Sequence, residues 1–326
     1  MMRRLLLSCA ASLLLYAAAF GLLLDRPLSL GQPRLQLDAK LARGAAIQGP
    51  KLVILAGSNG PYSHRCETME PIFGLPCVNA GVAVGIGLDY LFARWEPLLH
   101  PGDVVYLPLE EAQYTMSPAS SRLGPDAAIM ARHDWATLAR LPAQRSIAAL
   151  FAFDLRAAIM SAIETALVAV GFHDPRAEAT GATNAWGDRT GHTAALAEAS
   201  QRVLAAMTPV HASGAQVRTQ AASQQLPEFL DWASRHGVRA IGGPPTGFAD
   251  SPMPPETAVA IRSLFESHGG TFLDLPNHGR YPREDFFDTP DHLNESAQIA
   301  HSVLIAKALR ATIRSATAAA EPLPRP

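Results

Sequence analysis

Ser58 sits in the stretch LAGSNG (55–60), directly after the β-rich apolar run KLVI. A serine placed where a buried strand gives out lies at the mouth of a sheet, and ligands of open parallel sheets bind outside the carboxyl ends of their strands. Two roles fit it. Its hydroxyl can cap the helix that follows, or it can act as a nucleophile if a base is brought to it. Of the 11 histidines, His292 has the most suggestive setting for a base, FFDTPDHLNESAQ, between the last strand-like run and a C-terminal helical pattern. A surface loop histidine is the competing reading. Asp288 and Asp291 both precede His292 closely. An imidazole acting as base needs a carboxylate to hold its tautomer and stabilise the imidazolium. Adjacent side chains diverge, so Asp288, reaching back across Thr289 and Pro290, is the first choice and Asp291 the fallback. The histidines show no HExxH or paired-ligand spacing, so neither metal nor cofactor is expected.

These residues must be held by strands and helices in alternation. KLVILA (51–56), LPCVNAG (75–81) and PGDVVYLPLE (101–110) read as strands. Between them, GPYSHRCETMEPIF (60–73) and GLDYLFARWEPLLH (87–100) carry helical spacing. Strand and helix in turn argue for a parallel sheet with helices on its faces. The middle is less regular. SIAALFAFDLRAAIMSAIETALVAV (146–170) is strongly apolar, but Asp154, Arg156 and Glu164 favour one long amphipathic helix, a lid or an interface, over a membrane span. Helices are expected over 193–207, 225–237, 254–270 and 293–316, the last capped by Asn294. Strands are expected over 238–245 and 271–276, and disorder over the tail 317–326.

The N-terminus carries a second signal. Residues 5–24, LLLSCAASLLLYAAAFGLLL, contain no charge and follow Arg3 and Arg4. Twenty helical residues span about 30 Å, the thickness of a bilayer core. The arginines place the N-terminus inside and the rest of the chain outside. A cleaved signal peptide is the rival, against which stand the length of the run and the lack of a clean small-x-small site at its end. The expected organisation is an anchor or signal segment over 1–25, a Pro- and Gly-containing linker over 26–50, and an α/β domain over 51–316. With 326 residues, 48 % apolar and a net charge of −2, the chain can bury a large core and shows no basic surface for nucleic acid. Cys66 and Cys77 would pair in an oxidising exterior or stay as two buried thiols.

Taken together, LAGSNG, VNAGVAVGIGLDYLF (78–92), GDVVYLPLEEAQY (102–114), TNAWGDRTGH (183–192) and FFDTPDHLN (286–294) resemble the SGNH/GDSL hydrolase superfamily. They are most similar to its membrane-anchored branch, which includes alginate-type O-acetylation and lipoteichoic-acid D-alanylation proteins. The resemblance implies a flavodoxin-like three-layer α/β/α sandwich with a Ser/His/Asp site. It carries the nucleophile onto Ser58 and the base onto His292. It carries an oxyanion donor onto Gly85, with Gly81 as the other choice, and marks Asn184 and Asp188 as a motif of the branch, Asn184 being taken as a substrate-side residue. The sequence departs from the family at Gly57, where an Asp is usual, and at Glu110 and Glu111, which stand where an Asn is expected. It departs again at Thr289, which occupies the usual place of the orienting Asp.

What this implies is a periplasmic, inner-membrane-anchored bacterial acyltransferase or esterase. It would act on O-acyl groups of an exopolysaccharide or cell-envelope glycan. Its partners would be a glycan acceptor, an acyl donor, and a membrane-bound acyltransferase or polysaccharide synthase. A non-catalytic polysaccharide-binding or scaffold module of a cellulose- or alginate-type synthesis complex is the alternative.

Overall fold

Short apolar runs separated by helix-forming stretches bury themselves best side by side and parallel, with helices covering them. In the computed structural model, which describes residues 1–23, 32–152, 155–172 and 182–320, the chain does this with five strands. They are β1 (Leu52–Ile54), β2 (Cys77–Asn79), β3 (Val104–Leu107), β4 (Arg239–Gly242) and, after the two-residue β5 (Gly247–Phe248), β6 (Thr271–Phe272). The order is β2-β1-β3-β4-β6 and every pairing is parallel. From β1 the chain steps out to β2, then returns past β1 to β3 and continues the other way. That reversal opens a crevice beyond the carboxyl ends of β1 and β3. β5 pairs in parallel with β7 (Arg280–Tyr281) as a separate ribbon.

Alternation along the strands sorts the helices. Leu52, Ile54, Tyr106 and Ile241 share one buried cluster with Cys66 and Met69 and with Ile305 and Leu309 of the C-terminal helix Glu295–Ala320. Gly242, next along β4, faces the other way, where a Cβ would lie 2.7 Å from Phe265 in the helix Pro255–Glu266. At the opposite end of the sheet from the crevice, buried Lys51 and Asp103 pair at 2.7 Å. Asp103 also accepts the backbone N–H groups of Lys51 and His100, both at 2.9 Å, so the buried charges have the extra hydrogen bonds they need.

Two compact units divide the chain: Met1–Asp38 with Arg122–Gly181, and Ala39–Ser121 with Ala182–Pro326. The sheet belongs to the second. The body expected as one run over 51–316 is therefore parted by residues 122–181, which group with the N-terminal segment. In that first unit, Met2–Leu23 is one helix, long and apolar enough to cross a membrane. The single helix expected over 146–170 is instead Ala143–Ala149 and Leu155–Ala169, with residues 153–154 outside the described residues. Asp126 and Arg145 form a buried ion pair there.

The expected linker over 26–50 holds a helix, Gln32–Ala46. Pro33 falls in its first turn, where a missing N–H costs nothing. Gly44 is there because a Cβ would lie 2.6 Å from the Trp95 ring. The helix expected over 60–73 is two, Asn59–Ser63 and Cys66–Phe73, parted where His64 becomes extended. Asn294 caps the last helix as expected, its Oδ1 accepting Ala297 N–H at 3.1 Å. That helix continues to Ala320, through the first part of the tail expected to be disordered, while residues 321–326 lie outside the described residues.

Candidate active site

β1 and β3 are neighbours, and the chain leaving each delivers one side chain to the crevice. After β1 comes Ser58, and after β3 comes Glu110. Ser58 has helical backbone angles at the start of Asn59–Ser63, but its hydroxyl does not cap that helix. It donates to Glu110 Oε1 at 3.0 Å, and the same oxygen accepts Asn59 N–H at 2.8 Å. Gly57 makes this possible: a Cβ there would stand 2.6 Å from Glu110 Oε1. An aspartate at position 57 and a glutamate at position 110 would compete for one space.

His292 reaches the same place from the loop before the last helix. Its Nδ1 lies 2.6 Å from Asp288 Oδ1. Its ring stacks on Tyr62 at 4.1 Å between centroids and 9° between planes. Tyr62 is one helical turn beyond Ser58, and its N–H donates to the Ser58 carbonyl at 3.3 Å, so the two share a helix face. Ser63 locks the loop to this helix: its hydroxyl donates to Asp291 O at 2.7 Å and accepts Leu293 N–H at 3.2 Å. His292 and Asp288 thus meet, at Tyr62, the helix that begins just after Ser58. No hydrogen bond joins Ser58 to His292, and the serine hydroxyl is turned to Glu110.

Asp291 plays a different part from Asp288. Asp291 lines a cavity of about 320 Å³ together with Glu111, His211, Thr246, Arg280 and Pro290. Burial, together with the nearby charges of Glu110 and Glu111, pushes the Asp291 carboxyl well above the usual range against the pull of Arg280. Arg280 lies 3.5 Å from Glu111 and occupies the space a Cβ at Gly247 would need. His211 Nδ1 stands 3.1 Å from the same Glu111 oxygen, Oε1.

Of the two glycines expected as oxyanion donors, Gly85 lies in a partly exposed turn, and among the described residues neither its N–H nor that of Ser58 has a hydrogen-bond partner. Gly81 is a spacer: a Cβ would meet Gly57 O at 2.6 Å. Its carbonyl accepts from the buried Lys40, whose pKa burial lowers to about 7.

Asn184 belongs to a loop clamp. Its Oδ1 accepts the N–H groups of Trp186 and Asp188, both at 3.0 Å. Asp188 in turn accepts Cys66 N–H at 2.8 Å, Glu67 N–H at 3.1 Å and the Asn79 amide at 3.0 Å, fastening the start of the helix Cys66–Phe73 to β2. Cys66 and Cys77 are joined by a disulfide across the same helix, with Cα atoms 5.3 Å apart.

The chain matches no family model, no curated protein and no solved structure.

Sequence reasoning did not reach Tyr62, Ser63, Thr246 or Arg280. The first two lie inside a quoted helix without a motif of their own. Arg280 had one faint signal, the glycine before it: Gly279 has φ +74, and a Cβ there would stand 2.8 Å from Pro245 O.

Proposed function

We propose that this chain is a membrane-anchored acyltransferase or esterase of SGNH type, facing the periplasm or exterior and acting on O-acyl groups of an exopolysaccharide or cell-envelope glycan. The strand order β2-β1-β3-β4-β6 supports a flavodoxin-like sandwich, with the site at its β1/β3 crevice. The observation that carries the reading is the His292–Asp288 pair at 2.6 Å, stacked on Tyr62 one turn along from Ser58. Asp288 fixes the His292 tautomer with Nδ1–H bound, leaving Nε2 to take the Ser58 proton as Oγ attacks the acyl carbon. The Ser58 and Gly85 N–H groups supply the oxyanion donors, and loss of one such donor typically costs about 10²–10³ in rate. The alcohol then leaves, and a sugar hydroxyl or water attacks the acyl-serine. The cavity beside Asp291 offers an acceptor both donors and acceptors.

The test uses full-length protein in detergent with a fluorophosphonate probe and a small acetyl ester. Ser58→Ala removes both reactions. An added oligosaccharide raises turnover if the protein transfers, and leaves it unchanged if water is the acceptor. The Ser58–Glu110 hydrogen bond favours one second reading, a polysaccharide-binding or scaffold module in which the serine only anchors a turn. Folded protein whose Ser58→Ala variant equals the parent in every assay selects that reading.

A further inference from the structure

The unit formed by the N-terminal helix and residues 122–181 exposes apolar side chains that a surface in water would bury. In the helix Leu155–Ala169, Ile159, Met160, Ile163 and Leu167 are 42–49 % exposed. Their spacing puts them on one helical stripe, and the stripe points outward. Val170 and Phe172 extend it beyond the helix, at 74 % and 65 % exposed. Leu150 and Phe151 precede it, at 60 % and 72 %. A contiguous patch of this kind marks a surface that meets something other than water.

The N-terminal helix identifies what that is. Leu155–Ala169 packs against Met2–Leu23. The Tyr16 hydroxyl donates to Leu150 O at 2.6 Å. Gly21 faces Arg132, with Nη1 3.6 Å from its Cβ position. At 1.5 Å per residue, Gly21 lies about 3 Å and Tyr16 about 10 Å from the Leu23 end of the helix. If that helix spans a bilayer, Arg132 stands at headgroup level and Leu150 among the upper acyl chains. The exposed stripe starts at that same depth. Leu155–Ala169 is about 22 Å long, too short to cross a core of about 30 Å, and it carries Arg156 and Glu164. The length suits a helix lying in the interface plane with its apolar face sunk about 5–10 Å, and Arg156, one turn before Met160 on the same stripe, would reach back to the headgroups along its own apolar stem.

We propose that residues 147–152 and 155–172 form a second membrane contact, with the stripe Ile159–Ile163–Leu167 seated in the acyl chains of the leaflet at the Leu23 end of the span. It rests on reading Met2–Leu23 as a retained span. The membrane would then hold this unit by a helix and a float and not by a single tether.

Environment-sensitive fluorophores on single cysteines of full-length protein test this in a Cys9→Ser background. Vesicles of phosphatidylcholine and phosphatidylglycerol, brominated midway along the acyl chains, quench a label that touches lipid. Labels are placed at Leu13→Cys in the span, Ile163→Cys in the stripe and Val259→Cys, 62 % exposed on the other unit. Quenching at position 163 within about twofold of that at position 13, with none at position 259, is the expected result. Leu167→Cys, one turn further along the stripe, should repeat the result at 163, which guards against a local effect of one substitution. Quenching at 13 with aqueous iodide reaching both 163 and 167 overturns the second contact and leaves the anchor standing. Labels at 163 and 167 shielded from both quenchers mean that protein covers the stripe, and overturn the proposal equally. No quenching at 13 removes the anchor, and the second contact with it.

Discussion

Ser58 and Glu110 share one hydrogen bond of 3.0 Å, and Glu110 spends the same oxygen on Asn59 N–H. Asn59 is fully buried, so Glu110→Ala strands its N–H and should lower stability by about 1–3 kcal/mol in urea titrations. Glu110→Gln keeps an acceptor oxygen and should cost less. With His292 as base, Glu110→Gln should retain probe labelling of Ser58 to within about tenfold, whereas a loss as deep as that of His292→Ala would move the base role to Glu110.

His292→Ala should lower ester turnover by at least about 10³, because nucleophile, base and orienting acid act as a unit. Asp288→Asn should lower it more than Asp291→Asn. Asparagine at 288 loses the carboxylate 2.6 Å from Nδ1, while asparagine at 291 removes a charge that burial and Glu110 already disfavour. Equal losses in steady-state kinetics would remove the distinction between the two acids.

The buried histidines and Lys40 should make stability climb with pH in two stages, against the opposite contribution of Asp188 and Asp291, whose raised carboxyls hold protons more tightly in the folded chain. His64 is buried and lowered by that burial to about 4, and His301 is pushed down for the same reason and by His64. The pair makes sense as neutral rings: His64 Nδ1–H donates to Asn59 O at 3.2 Å, His301 Nε2–H to His64 Nε2 at 3.3 Å, and Tyr281 O–H to His301 Nδ1 at 2.6 Å. Unfolded histidine takes a proton near 6.5, so between about 4 and 6.5 the unfolded chain binds more protons and folding weakens as pH falls. Each such group contributes a slope of up to about 1.4 kcal/mol per pH unit. Lys40, lowered to about 7 from 10.5, adds a second rise between those values. Urea midpoints measured from about pH 4 to 10 check both limbs, and Lys40→Met should flatten the upper one alone.

Reduction of Cys66–Cys77 should cost about 2–3 kcal/mol, as expected for a short closed loop. Non-reduced peptide mapping of exported protein should show the two linked. Free thiols in exported material would contradict the pairing seen here.

Much of the site was legible because strand ends are legible. KLVI, then Leu-Ala and Gly-Ser-Asn, put Ser58 just past a strand end, and the spacing of Asp288 and His292 pointed to a pair that lies 2.6 Å apart. The hydroxyl's partner was not legible, since Glu110 meets Ser58 only after β1 and β3 pair. The helix Gln32–Ala46 was hidden by Pro33 and Gly44, which read as breakers until Trp95 is seen lying on Gly44. Residues 146–170 gave a period but not a direction: apolar spacing says that a stripe exists, and only the packed structure says that it points away from the protein.

The loop carrying Asp291 is tied to Ser63 across 228 residues of chain. Ser58 is made well before His292. A nascent or partly exported chain therefore displays Ser58 without His292. Under the proposed mechanism, activity is withheld by the order of assembly until the segment carrying His292 has followed.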